Sequence, residues 1–236
     1  MTAARRDTGG RGRPGRIALS DVSDAAQDYL REIYALQDRA ERVTTSSLAR
    51  RMDVAPSSAT AMIKKLAQLG LVEHTPYRGV RLTPTGELLA LELLRHHRLL
   101  ELYLANVFGF GIDAVHAEAD RLEHVLSEAL EARIDASLGS PTHDPHGDPI
   151  PDGTLKVAPA RLRPLTTLQV GDEANVARIP DGDADLLRYL ADIKLVPGQP
   201  VKLVHAAPFD GPLTVLVGGR RVAIANELAA RIGVSI

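Results

Sequence analysis

No cysteine occurs among the 236 residues of this chain. Disulfides are thereby excluded, and so are thiolate ligands, so any metal bound here has to be held by nitrogen and oxygen. Also missing is an apolar run near the ~20 residues that cross a bilayer. The Arg-rich N-terminal segment lacks the apolar stretch of a secretory signal. The cytoplasm is therefore the expected location, with no membrane partner. There is no P-loop, no G-x-S-x-G turn and no H-E-x-x-H spacing, which removes common phosphate-binding, hydrolase and zincin signatures. Nor is there an internal repeat, or an excess of charge: a net charge of -2 argues against a general polyanion binder while leaving local patches open.

What remains is an ordinary globular composition, 44% hydrophobic and 25% charged, long enough for two or three small cores. Residues 1 to 20 carry five arginines (Arg5, Arg6, Arg11, Arg13, Arg16) against one acid, Asp7, amid Gly and Pro. A basic arm over 1–22 is expected to be disordered when free, serving as a solvated tail or as a minor-groove or phosphate contact.

Hydrophobic spacing predicts a helix over 24–37, with Ser23 as its cap and Ala26, Tyr29, Leu30, Ile33 and Leu36 on one stripe. A short helix over 46–52 and another starting at Pro56 and stopping at Gly70 follow, joined by a tight turn. The runs 71–74 and 80–82 flank Thr75-Pro76-Tyr77-Arg78-Gly79 and read as a two-stranded hairpin, a candidate wing. Thr83-Pro84 opens a long helix to about Val107, ended by Phe108-Gly109-Phe110-Gly111, and a single further helix is expected over 113–138, capped by Gly139. The Pro- and Gly-rich stretch 141–158, with Thr142-His143-Asp144-Pro145-His146-Gly147-Asp148, reads as an extended linker of structural or solvated character, because its histidines fit no helical or sheet face. Short β-prone runs at 176–179, 200–205, 213–217 and 220–224, with helices over 185–193 and 225–232, predict a small β-barrel.

Four potential ligands, His116, Asp120, Glu123 and His124, fall at i, i+4, i+7 and i+8 along the predicted 113–138 helix, which places them on one face. On the preceding helix His97 and Glu101 are also i, i+4, so two helices could converge imidazoles and carboxylates on metal ions. Solvated charged faces laced by ion pairs are the bland alternative. A metallohydrolase is a further one, disfavoured by the helix-turn-helix and wing that precede the cluster. In the third helix the apolar side leaves Ser57, Thr60, Ala61, Lys64 and Gln68 opposite the core. Hydroxyls and a methyl at a helix N-terminus can approach base edges, while Lys64, Lys65 and Arg78 can reach phosphates. Ser58 belongs to the same candidate DNA face.

The residues Gln27-Asp28-Tyr29-Leu30, Ile33-Tyr34, Pro56-Ser57-Ser58, Tyr77-Arg78-Gly79, Leu82-Thr83-Pro84-Thr85-Gly86, Arg95-His96-His97-Arg98-Leu99-Leu100-Glu101 and Glu123-His124 together resemble the diphtheria toxin repressor family of metal-dependent regulators, especially its manganese-responsive members. The run from Leu186 to Gly198 is similar to the SH3-like third domain of the longer members. The resemblance implies a mainly α chain with small β parts: a winged helix-turn-helix over 23–84, a helical metal-binding and dimerisation domain over 85–140, a linker over 141–158 and an SH3-like β-barrel over 159–236. It implies a homodimer that binds double-stranded operator DNA when a divalent metal is bound. Asp28, Asp120, Glu123 and His124 match the primary ligands. His97, Glu101 and His116 match an ancillary site that also takes ligands from the third domain, where Asp181, Asp183 and Asp185 are candidates or form only a solvated turn. Arg31 stands where the short two-domain manganese regulators have a carboxylate, so separate sites rather than a close metal pair are expected. Iron-responsive relatives place Met and Cys at the positions of Asp28 and Asp120. Carboxylates there favour Mn²⁺, with Fe²⁺ as second choice.

Overall fold

The computed structural model describes residues 17–37, 42–76, 78–159 and 161–235. Most of the expected basic arm, and Tyr77 of the expected wing, lie outside the described residues. The chain divides into two compact units, Met1–Ala90 and Leu91–Ile236.

The first unit holds α1 (Asp24–Gln37), α2 (Thr45–Arg51), α3 (Pro56–Gln68), the hairpin β1 (Val72–Thr75) with β2 (Gly79–Leu82), and the start of α4 (Pro84–Phe108). Leu30, Ile33, Leu48, Ile63, Leu66 and Leu71 are fully buried, so the stripes read from the sequence meet in one core. Buried Gln27 donates from Nε2 to the Leu19 and Val22 carbonyls at 2.9 and 2.8 Å and so fastens a short 3-10 turn to α1. Thr44 accepts from the Ser47 amide at 3.1 Å and starts α2. Pro56 occupies the first turn of α3, where its missing N–H costs nothing.

The hairpin is antiparallel, pairing Val72 with Leu82 and Thr75 with Gly79, and Val43 adds a bridge to Val80. Gly79 is obligatory there: φ is +97°, and a Cβ would lie 2.4 Å from the Val43 carbonyl oxygen. Thr83 then accepts from the Gly86 amide at 3.2 Å and donates to the Gly70 carbonyl at 2.8 Å, which ties the end of α3 to the beginning of α4.

The second unit continues α4 and adds α5 (Val115–Leu122), a 3-10 turn (Glu123–Val125) and α6 (Glu128–Ser137) around Leu99, Leu100, Ala119, Ile134 and Ile150. The single helix expected over 113–138 is thus broken in two. Leu126 is extended, and the Ser127 side chain accepts from the Leu130 amide as the cap of a new helix, an alternative the backbone takes in place of continuing α5. His116 and Asp120 remain one turn apart on α5. Glu123 and His124 sit on the tighter turn that follows, so the four-ligand helical stripe does not exist as expected.

The rest of the unit comprises β3 (Arg163–Pro164), β4 (Glu173–Arg178), α7 (Ala184–Asp192), β5 (Pro200–Ala206), β6 (Leu213–Val217), β7 (Arg220–Ile224), α8 (Asn226–Ala229) and β8 (Gly233–Ser235). The strands form one antiparallel sheet in the order β3-β8-β4-β5-β6-β7, consistent with the expected SH3-like barrel. Its core is made by alternate inward residues such as Val201, Leu203, Val215 and Val217 with Leu187 and Leu190 of α7. Gly218-Gly219, both at positive φ, make the two-residue turn between β6 and β7. The helix expected over 225–232 is only the single turn α8.

Candidate metal centre

His97 and Glu101, successive on one face of α4, are both buried. His97 Nε2 lies 2.9 Å from Glu101 Oε1 and 3.0 Å from His116 Nδ1, and His116 Nδ1 is itself 3.0 Å from that same Glu101 oxygen. The three residues assigned by resemblance to an ancillary site therefore converge. On its other side, His97 Nδ1 lies 2.7 Å from Glu123 Oε2 and 3.4 Å from Asp120 Oδ1. His124 Nε2 is 3.6 Å from the second Glu123 oxygen. Ligand atoms of His97, His116 and Asp120 all fall within 4.8 Å of one another.

A second such group joins Glu101 to Asp144 and His146, all three buried. The segment expected as a linker thus brings buried ligand-type side chains into the cluster. Periodicity cannot reveal them, because a tight turn rather than a helix or strand delivers them. Asp144 Oδ1 accepts from the His146 and Asp148 amides at 2.8 and 3.0 Å, the Asp144 amide donates to the Asp148 carbonyl at 3.0 Å, and Gly147 turns the chain at φ +89°. Two arginines of the Arg95-His96-His97-Arg98 run hold the chain around it. Arg98 donates to the Pro149 carbonyl at 2.5 Å and faces Asp144 and Asp148, and Arg95 donates to the Pro151 carbonyl at 2.6 Å and pairs with Glu131 and Asp135.

The electrostatics of this cluster are those of displaceable protons. Burial works against a charged His97, yet hydrogen bonds to Glu101 and Glu123 outweigh it and raise its pKa to about 10. Burial likewise opposes ionisation of Glu101, but the His116, His146 and His97 imidazoles hold its carboxyl far below the usual range. Burial also disfavours the imidazolium of His146, and the Glu101 carboxylate carries its pKa up to about 9 all the same. Asp144 is pushed up to about 7 by burial and by the neighbouring Glu101 and Asp148 carboxylates. Burial raises Asp148 as well, with Arg98 and Arg178 opposing and Asp181 adding to the rise.

The donor set fits a divalent cation. His146 Nε2 lies 2.9 Å from the Ile112 carbonyl, an acceptor only, so that nitrogen carries a proton. Its Nδ1 is buried, makes no hydrogen bond among the described residues, and faces Glu101 Oε2 at 3.7 Å. An imidazole so oriented by a backbone carbonyl offers its other nitrogen as a ligand.

Of the third-domain candidates, Asp181 acts on Asp148 electrostatically. Asp183 caps α7 by accepting from the Asp185 and Leu186 amides, and Asp185 pairs with Arg188. Asp28, on α1 of the first unit, is half-buried. In the same unit Ser57, Ser58, Ala61, Lys64 and Lys65 are exposed on α3, and Arg78 is exposed in the hairpin turn. Thr60, half-buried, donates its hydroxyl to the Pro56 carbonyl at 2.8 Å, which leaves its methyl and oxygen lone pairs for other contacts.

Three family models match in succession: the iron-dependent repressor N-terminal DNA-binding domain over residues 21–80, the iron-dependent repressor metal-binding and dimerisation domain over 83–152, and the FeoA domain over 163–236. The chain is 33% identical over 223 residues to the iron-dependent repressor IdeR of Mycobacterium tuberculosis, covering 89% of this chain and 96% of that one. To the diphtheria toxin repressor of Corynebacterium diphtheriae it is 28% identical over 227 residues, with the same shares covered. Among solved structures it is similar to a manganese-dependent transcriptional repressor in complex with manganese, with 41% identity, a TM-score of 0.80, and 89% and 98% of the two chains covered. ScaR with bound Cd²⁺ follows the same fold at 30% identity and a TM-score of 0.75, covering 89% and 98%. No helix among the described residues is long and apolar enough to cross a membrane. With DNA-binding, metal-binding and FeoA modules matched in order along nearly its whole length, the chain belongs to the iron-dependent, or diphtheria toxin, repressor family of metal-dependent transcriptional regulators, which are not enzymes.

Proposed function

We propose that this chain is a manganese-activated homodimeric repressor of metal homeostasis genes, with Fe²⁺ as the competing effector. The observation that carries the metal assignment is the chemistry of the donors: the clustered candidate ligands are all imidazole or carboxylate, in a chain without cysteine. Hard oxygen and borderline nitrogen suit Mn²⁺, although raw affinity rises through Fe²⁺ to later metals, so geometry and availability must complete the selection. The relative described with bound manganese supports this reading, and the iron-dependent relatives support the alternative.

Asp120, Glu123 and His124, joined by Asp28, would hold the primary ion. His97, Glu101 and His116 would hold an ancillary one together with Asp144 and His146, Asp181 being the third-domain residue best placed to join them. The bound metal would supply bonds available only in the DNA-competent arrangement, and that difference shifts the population toward it. In that arrangement Ser57, Ser58, Thr60 and Ala61 would meet base edges, and Lys64, Lys65 and Arg78 would meet phosphates. The domains carrying these roles are 23–84 for DNA, 85–140 with the 144–148 turn beyond it for metal and dimerisation, and 159–236 for the barrel.

The test is operator binding against free metal concentration. Mn²⁺ is expected to drive binding at lower free concentration than Zn²⁺ or Ni²⁺ at cellular availability, and Asp28→Met with Asp120→Cys is expected to lose the manganese response. A wild-type chain inert to Mn²⁺ but responsive to Fe²⁺ under anaerobic conditions would overturn the manganese assignment.

A further inference from the structure

The 144–148 turn is tied on one side to the metal cluster and on the other to the β-barrel. Gly147 presses against β4 so closely that a Cβ there would stand 1.9 Å from the Ala177 carbonyl oxygen. The Ile179 amide, just beyond β4, donates to the His146 carbonyl at 2.9 Å. Arg178, the last residue of β4, reaches Asp148 Oδ1 with its Nε at 2.9 Å. Asp148 is buried, its amide donates to Asp144 Oδ1 at 3.0 Å, and its second carboxylate oxygen has no hydrogen-bond partner among the described residues. Arg98 stands between the two acids, 3.5 Å from Asp144 Oδ2 and 3.6 Å from Asp148 Oδ1.

We infer that Arg178 is a positioning residue for the Glu101–Asp144–His146 centre: by holding Asp148 from the barrel side, it fixes the turn that presents Asp144 and His146. This rests on the proposed reading of that centre as a metal site. Two buried carboxylates, Asp144 and Asp148, face the half-buried guanidinium of Arg98, and the buried Glu101 carboxylate adds its negative charge beside Asp144. Without Arg178, Arg98 is the remaining guanidinium beside Asp148, and drawing it toward Asp148 weakens its hold on Asp144. Outer groups of this kind typically alter metal affinity by roughly 10- to 100-fold. By linkage, metal at the centre tightens the junction between the turn and β4 in return.

The sign of the effect separates positioning from simple charge. Removing a cation beside a metal site raises affinity if electrostatics alone operate, whereas loss of positioning lowers it. Mn²⁺ titration of the full-length protein, followed by electron paramagnetic resonance of the free ion, is expected to show the ancillary equivalent weakened roughly tenfold or more in Arg178→Gln and in Asp148→Ala. The double variant should be no worse than either single one, Arg178→Lys should recover part of the loss, and the primary equivalent should be unchanged. Hydrogen exchange supplies the second readout: Mn²⁺ should slow exchange of the Ile179 amide in the wild type and not in Arg178→Gln. If His146→Ala removes no equivalent of Mn²⁺, the metal reading of the centre fails. If His146→Ala removes one while Arg178→Gln binds as tightly as the wild type or tighter, the metal reading stands and the role of Arg178 is refuted.

Discussion

Loading metal onto this protein is expected to expel protons, most of them from two histidines. With a pKa of about 10, His97 is an imidazolium at pH 7, clamped between Glu101 and Glu123, and His146 with a pKa of about 9 is in the same state. A nitrogen binds a cation only after its proton leaves. At 1.36 kcal/mol per unit, deprotonation at pH 7 costs about 4 kcal/mol at His97 and about 3 kcal/mol at His146. An ion held through both imidazoles, as at the proposed ancillary site, should therefore release about two protons, and its affinity should rise about a hundredfold per pH unit between pH 6 and 8. Asp144, with a pKa of about 7, adds a fraction of a proton that disappears by pH 8.5. Calorimetric Mn²⁺ titration in two buffers of different ionisation enthalpy measures the count directly. Glu101→Gln removes the carboxylate that sustains both imidazolium ions, so it should reduce proton release as well as binding. A wild-type chain that takes up Mn²⁺ at pH 7 with no proton release and a flat pH dependence would refute this account.

Lys64→Ala should weaken operator binding and reduce the slope of log affinity against log salt by about one, if Lys64 neutralises one phosphate; unchanged metal binding, checked by titration, separates this from a folding defect. Glu123→Ala or His124→Ala should abolish metal-stimulated DNA binding while the dimer persists by size-exclusion chromatography. His116→Ala should only raise the Mn²⁺ concentration required. Equal loss from all three would overturn the ranking of primary above ancillary ligands.

The N-terminal unit was legible in the sequence because its signals are local and mutually consistent. Apolar spacing in 24–37 and 56–69, Pro56 at a helix start and Gly79 in a hairpin each correspond to an element whose cap or close approach explains the residue. The convergence of His97, Glu101 and His116 followed from helical spacing together with the family resemblance. Where the reading failed, tertiary context outweighed periodicity. Ser127 was a cap signal inside an apparently continuous pattern, and taking it would have split the 113–138 helix. His146 and Asp144 had no periodic signature at all. Their burial depends on Arg98 and on β4, residues distant in sequence, and the visible clue was only the dense punctuation of prolines and Gly147 around a histidine between two aspartates.

One carboxylate serves two masters in this molecule. Glu101 turns one oxygen to His97 and His116 and the other toward His146, so no substitution there can be tuned to one group of ligands alone. In genetic terms the position is pleiotropic: a variant selected for altered contact with His97 and His116 carries a correlated change beside His146. In binding terms, the His97–His116 side and the His146 side should not contribute independently to the ancillary ion, because both depend on the same anion for charge balance.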